Sequence, residues 1–219
     1  MNKIKQVYSK LYRSFGKQGW WPLTMQGLEP KHHVGKPKTS NHQFEIIMGA
    51  ILTQNTNWKN VEKALTNLSK NKLINKEKII NTEHKKLAEL IKPSGYYNQK
   101  AERLKIIAEF LKQNKNPTRQ QLLEVKGIGP ETADSILLYA YQKPYFVIDA
   151  YTKRIFTRLG MGEKDYNQWQ ELFMNNLPKD TSIFNEYHAL LVELGKNHCK
   201  TRPVCDECPI SGICKTKQH

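Results

Sequence analysis

The sequence predicts an all-α protein, and three observations carry that prediction. Apolar side chains recur at three- and four-residue spacing through nearly every stretch long enough for a helix. Proline and glycine fall between those stretches, where they punctuate rather than interrupt. Alternating β-branched runs, the mark of strands, are short throughout. A chain of 219 residues can bury a substantial core, as one large or two small domains.

Taken in order, residues 2–15 place Ile4, Val7, Tyr8, Leu11, Tyr12 and Phe15 on one helical face with lysines opposite. Gly19-Trp20-Trp21-Pro22 then opens a loop rich in Gly, Pro, Lys and His that runs to about Ser40. Two adjacent tryptophans cannot share one helix face. Either one is core and the other caps a domain seam, or they form an aromatic wall for a flat ligand. Asn41 is the expected cap of a helix carrying Phe44, Ile47, Met48, Ile51 and Leu52, with His42 and Glu45 on its surface. A helix from Trp58 through Leu68 follows, then amphipathic stretches at 76–81 and 84–91, broken at Lys92-Pro93-Ser94-Gly95. Tyr96 and Tyr97 lead into a long helical pattern from Ala101 to Asn114.

From Leu122 to Arg158, two apolar helical patterns flank the turn Gly127-Ile128-Gly129, and a lone acid, Asp149, follows. Glycines there let the backbone turn sharply and approach a partner closely. Pro130 suits a first helical turn, and the N–H groups of a helix start suit a phosphate. Helix, Gly-x-Gly hairpin, helix is in outline a clamp for a DNA backbone; by itself it is also an ordinary helix–helix turn. Asp149 reads equally as a helix cap over Ala150, Tyr151 and Thr152. The β-branched patch at 144–149 is a buried connection, and helices are expected near 165–177 and from Ile183 to Lys196.

Charge narrows the partner. Lys plus Arg outnumber Asp plus Glu by 35 to 20, a net +15, which favours a polyanion, nucleic acid before membrane. No apolar run approaches the ~20 residues needed to span a bilayer, and no signal-peptide core opens the chain. The expectation is a soluble, intracellular protein.

All four cysteines fall near the end of the chain as Cys199, Cys205, Cys208 and Cys214, spaced C-x5-C-x2-C-x5-C. In a reducing compartment such clustering points to metal rather than disulfides. Thiolates hold zinc and iron–sulfur clusters alike, and the spacing does not choose. A staple that shapes the basic loop around Lys196, His198, Lys200 and Arg202 is the modest reading.

Together these residues resemble the helix-hairpin-helix DNA glycosylase superfamily, and the cysteines resemble the [4Fe–4S] loop of its endonuclease III branch. Residues 51–56 and 94–101 are similar to two further segments of that branch. Trp20-Trp21-Pro22 and residues 52–58 are most similar to bacterial 3-methyladenine DNA glycosylases of the endonuclease III-like type. The resemblance implies a six-helix barrel over 41–148 that contains the helix-hairpin-helix. It implies a second helical domain from 1–40 plus 149–219, with the four-Cys loop at 199–214, and DNA in the cleft between. It makes Asp149 the catalytic carboxylate that supports an oxocarbenium-like sugar, and Gly127, Ile128 and Gly129 a phosphate-binding hairpin. Gln54 would fill the gap left by a flipped nucleotide, Tyr96 would wedge beside the orphaned base, and Lys100 would contact DNA. Trp58, with Trp20 or Trp21 and Pro22, would form an aromatic pocket whose ring faces attract cationic alkylpurines.

Position 131 bears on reaction type. Glu131 stands where strand-cleaving relatives carry a Schiff-base lysine, and a carboxylate forms no imine. Lys126 and Lys153 are nearby in sequence, but nothing marks them for that task. The expectation is a monofunctional glycosylase for N-alkylated purines, holding a [4Fe–4S] cluster or, alternatively, zinc. It would be a monomer acting on damaged double-stranded DNA, with no membrane partner, in the cytoplasm at the bacterial nucleoid. The alternatives are a bifunctional glycosylase/lyase for oxidised pyrimidines and a DNA-binding module without chemistry. The first cysteine gap is one residue shorter than the family's, and 3-methyladenine relatives can lack the cluster.

Overall fold

The computed structural model describes residues 2–24, 29–32 and 36–216. Those residues form helices, with one long connection between Phe15 and Ser40; among them the single isolated bridge pairs Leu23 with Lys31. Among them no helix is long and apolar enough to cross a membrane. The chain divides into a two-segment unit, Met1–Trp20 with Lys143–His219, and a continuous unit, Trp21–Gln142.

The two-segment unit holds α1 (Lys3–Phe15), α9 (Ala150–Phe156), α10 (Tyr166–Asn176) and α11 (Thr181–Asn197). Asn2 caps α1 by accepting from the Ile4 N–H, and the expected stripe of Ile4, Val7 and Leu11 is fully buried. Each such side chain contributes roughly 1.5–3 kcal/mol on leaving water. The connection at 143–149 is irregular yet buried: Phe146 stacks on Phe173 with centroids 4.2 Å apart, and its carbonyl accepts from Gln170 Nε2 at 2.8 Å. A buried backbone oxygen without a strand partner is thereby satisfied. Tyr187 closes the core by donating its hydroxyl to the Ile4 carbonyl at 2.7 Å.

The continuous unit contains α2 (Ser40–Leu52), α3 (Trp58–Lys70), α4 (Lys76–Asn81), α5 (His84–Leu90), α6 (Tyr97–Gln113), α7 (Arg119–Leu123) and α8 (Pro130–Ser135), the last running on as a wider turn through Ala140. Helix α2 is capped by Thr39, not Asn41, and from Phe44 onward it is buried on every side. It packs on α3, α6 and α8 and forms the unit's centre. Glu45, expected on the surface, is therefore buried at 1% exposure. Its two carboxylate oxygens accept from the backbone N–H and the hydroxyl of Thr24, each at 2.9 Å. Burial outweighs those bonds and pushes its pKa up to about 7.

The unit boundaries fall at 20/21 and 142/143, instead of the expected 40/41 and 148/149. Side chains explain both shifts. Trp21 packs on Trp58 and Tyr139, drawing the segment after Trp20 onto α2, while Phe146 belongs to the aromatic core of the two-segment unit. The division falls between Trp20 and Trp21.

Candidate active site

In the two-segment unit, Asp149 opens α9. Its backbone is extended, and its Oδ1 accepts from the Thr152 N–H at 2.7 Å, so it is a true helix cap. Its Oδ2 lies 3.6 Å from His188 Nε2 on α11, both side chains 12% exposed. Burial alone pushes this carboxyl upward. The imidazole and the Thr152 amide and hydroxyl outweigh that effect, and Asp149 titrates below the usual aspartate value. It is an anion held in a desolvated place, the requirement for stabilising a cation that forms beside it. His188 carries no motif and lies far along the chain, so no local pattern marks it.

Helix α9 also grips the cysteine loop. Arg154 Nε donates to the Cys199 carbonyl at 2.7 Å; Arg158 donates to Cys199 Sγ at 3.3 Å and to the carbonyls of Lys200 and Thr201. All four cysteines line one cavity with Ile155, Val204 and Ile210. Burial, with a further push from the charges of Cys199, Cys205 and Cys214, raises the Cys208 thiol, partly offset by the Ile210 amide. Yet among the described residues no three His, Cys, Asp or Glu side chains converge closely enough for one metal ion. The donor set is four thiols facing a largely apolar shell.

In the continuous unit, the hairpin joins α7 to α8. Gly127 has φ +86°, a left-handed turn that side chains disfavour. Ile128 is buried at 5% exposure and pins the loop from inside, while its N–H closes the turn onto the Val125 carbonyl at 3.0 Å. Gly129 is exposed, a Cβ there would meet nothing within 4 Å, and Pro130 starts α8 behind it. A backbone bared this way at a helix start can take a phosphate. The two helices are locked together by Arg119, which donates to both carboxylate oxygens of the fully buried Asp134 at 2.7 and 3.1 Å. Glu131 is exposed in the first turn of α8.

The other residues expected in the site fall into three groups. Trp21 is buried and meets Trp58 edge-on at 5.3 Å and Tyr139 at 5.1 Å. Gly49 of α2 forms the floor, where an added Cβ would come within 2.8 Å of Trp21 Nε1. Trp58, half-buried, donates its indole N–H to Glu62 at 2.8 Å. Pro22 is buried, Trp20 belongs to the two-segment unit with its carbonyl accepting from Asn185 Nδ2 at 2.9 Å, and Tyr139 joins the aromatic cluster unforeseen. Tyr96 is 65% exposed at φ +46°, an aromatic standing out of the surface at the head of α6.

One expectation needs correcting. Lys100 is 1% exposed, so it does not face DNA; its ammonium donates to the Leu52 and Ser94 carbonyls at 2.8 and 2.7 Å. Burial, aided by the Arg103 charge, lowers its pKa to about 8. Gln54 is hydrogen-bonded to the hairpin. Its Nε2 donates to the Gly127 carbonyl at 3.1 Å and to the Thr132 hydroxyl at 2.9 Å, and its Oε1 accepts from Arg103.

Comparison with known proteins agrees with this anatomy. The sequence model of the HhH-GPD superfamily base excision DNA repair proteins matches residues 48–179. A Methanocaldococcus jannaschii protein provisionally named a DNA repair glycosylase is 43% identical over 235 residues, covering 99% of each chain. Endonuclease III of Thermotoga maritima is 30% identical over 178 residues, covering 78% of this chain and 82% of the relative. Among solved structures, Helicobacter pylori 3-methyladenine DNA glycosylase bound to 1,N6-ethenoadenine is 32% identical with a TM-score of 0.69, covering 88% of this chain and 95% of that one. An endonuclease III–DNA complex aligns over 98% of this chain and 96% of its own with a TM-score of 0.77; at 20% identity it speaks for the fold alone. The chain belongs to the HhH-GPD superfamily of base excision DNA repair proteins and is a DNA glycosylase of that superfamily.

Proposed function

We propose that the protein is a monofunctional glycosylase that releases N-alkylated purines, such as 3-methyladenine, from double-stranded DNA. Two features support the reaction type: Asp149 is buried with its carboxyl held below the usual aspartate value, and Glu131 stands where the resemblance places the lysine of strand-cleaving relatives. The C1′–N9 bond breaks with its electron pair going to the base. A cationic alkylpurine therefore departs neutral and needs no acid to help it. Positive charge appears on the sugar, where Asp149 offsets it; water adds at C1′, gives up a proton, and leaves an abasic site in an intact strand. His188 and the Thr152 amide hold the carboxylate oriented and ionised for that step.

Selection of a cationic base is supported by the electron-rich cluster of Trp21, Trp58 and Tyr139, since aromatic faces attract cations. The Helicobacter relative, named for 3-methyladenine, lends the same substrate class. The bared hairpin backbone would hold a phosphate, and the net charge of +15 would make affinity strongly salt-dependent. We assign Cys199, Cys205, Cys208 and Cys214 to a [4Fe–4S] cluster. All four line one largely apolar cavity, and four thiolates in such a shell suit that cluster. When bound, the cluster would fasten the 199–214 loop onto Arg154 and Arg158 of the α9 segment.

The test is base release from duplexes carrying either 3-methyladenine or an oxidised pyrimidine, with iron measured on the same preparation. Faster release of the alkylpurine by protein holding about four irons per chain supports the reading. Preference for the oxidised pyrimidine overturns the substrate class, and colourless protein with one zinc overturns the cluster.

A further inference from the structure

Glu45 is the one ionisable group in the buried run from Phe44 to Leu52, and the chemistry above does not use it. An apolar side chain would be cheaper to bury there than a carboxyl whose pKa burial pushes up to about 7. Both of its oxygens serve one residue: Oε1 accepts from the Thr24 N–H and Oε2 from the Thr24 hydroxyl, each at 2.9 Å. Thr24 lies three residues beyond Trp21. Between them, buried Leu23 exchanges both backbone hydrogen bonds with Lys31, at 3.1 and 3.0 Å. One turn beyond Glu45 on α2, Gly49 receives the Trp21 indole, where a Cβ would come within 2.8 Å of Nε1. Residues 21–24 are thus fixed to α2 at two points, four residues apart on one helix face. A carboxyl holds Thr24, and a missing side chain seats Trp21. All of this lies within the continuous unit, as do Trp58 and Tyr139, the rings that Trp21 meets.

We propose that Glu45 is a positioning residue for base selection: through Thr24 it clasps residues 21–24 to α2 and sets where the Trp21 ring stands in the aromatic pocket. The inference rests on reading Trp21, Trp58 and Tyr139 as part of the base pocket. Gly49 makes room for the indole, and the carboxyl fixes its register, because a contact to both the N–H and the hydroxyl of one residue is met in one alignment only. Geometry matters here more than charge. The Thr24 hydroxyl can donate or accept, so the ionised and the neutral acid both keep two contacts. The clasp acts on the wall that meets a base, not on a phosphate contact, so it bears on a lesion and not on undamaged DNA.

The experiment compares the full chain with Glu45→Leu, Glu45→Gln and Thr24→Val. Single-turnover release from a duplex carrying 3-methyladenine gives the half-saturating enzyme concentration, and anisotropy gives affinity for the same duplex undamaged. The clasp predicts that Glu45→Leu raises the half-saturating concentration roughly three- to tenfold and leaves affinity for undamaged DNA unchanged. Glutamine offers an acceptor for the Thr24 N–H and a donor for its hydroxyl oxygen, so Glu45→Gln should restore the wild-type value. Thr24→Val, which loses one contact of the two, should fall between. Wild-type release by Glu45→Leu would overturn the proposal. Equal weakening on undamaged DNA would overturn it too, as the mark of a general packing role. So would a loss in Glu45→Gln as large as in Glu45→Leu, because charge and not geometry would then select the cationic base. If Glu45→Leu melts early, Thr24→Val decides: weaker release with unchanged binding to undamaged DNA supports the clasp, and wild-type behaviour overturns it. Failure of the underlying reading looks different. Trp21→Leu with wild-type release would overturn the pocket and the clasp together. Wild-type protein that prefers an oxidised pyrimidine would overturn the substrate class, and the same variants then judge the clasp on that base.

Discussion

Replacing Asp149 separates the two tasks its carboxylate holds. Asparagine caps a helix about as well as aspartate, so Asp149→Asn should keep the bond from the Thr152 N–H and leave α9 intact. It removes the charge that the proposed mechanism sets against the reacting sugar. Deleting one preorganised electrostatic partner of this kind costs about 10²–10³ in rate, so single-turnover release should fall by at least that factor while damaged DNA still binds. Asp149→Ala removes the cap as well, for a further loss of about 1 kcal/mol in stability. For a chain of this size that is a drop of about 2–4 °C in Tm below the asparagine variant. The assay pairs thermal unfolding with single-turnover release for both variants. Near-normal release by Asp149→Asn would refute the catalytic assignment; equal destabilisation by the two variants would refute the cap. A carboxyl held below its unfolded value adds stability that is complete above that value and fades as pH falls through the folded one. Asp149 should therefore contribute to acid unfolding of wild type and not of either variant.

Three further perturbations probe the surroundings. Gly49→Ala would normally help a helix, but its Cβ would sit 2.8 Å from Trp21 Nε1; the indole must shift, and lower stability with a changed tryptophan emission is expected, whereas a stabilised protein with unaltered emission would contradict the packing. Asp134→Ala strands the partly exposed Arg119 beside the hairpin and should cost about 3 kcal/mol in denaturant unfolding, a change under 1 kcal/mol counting against the pair as the lock of α7 on α8. Glu45 has a folded pKa of about 7 against an ordinary 4.5, so wild type should lose stability relative to Glu45→Gln as pH rises from 4.5 to 7, on the order of 2 kcal/mol, and a pH-independent difference would contradict its burial.

Much of this architecture is readable from residue order, because helices declare themselves through local spacing. The Ile4, Val7, Leu11 stripe, the Gly127–Gly129 turn and the cysteine spacing each follow from neighbours a few residues apart. What escaped depends on partners distant in sequence. Lys100 looks like a surface cation between polar residues, and only the approach of α2 makes it an internal cap. Glu45 sits in the run Phe44 to Leu52, which is apolar on all sides; a helix with no polar face has nowhere exposed to put a charge, and that signal was available. Gln54 matches a family position, yet its hydrogen bonds depend on Arg103 and Gly127, which no local pattern joins to it. His188 reaches Asp149 only through the packing of α11 on α9.

The central claim is that this chain excises a base without cutting the strand. The most direct measurement follows a duplex with one 3-methyladenine under single-turnover conditions, resolved with and without alkali and with borohydride present throughout. The account predicts strand scission only after alkali, and no protein–DNA adduct. Direct nicking with a trapped adduct would contradict it, because a lysine would then be performing the chemistry that Glu131 cannot.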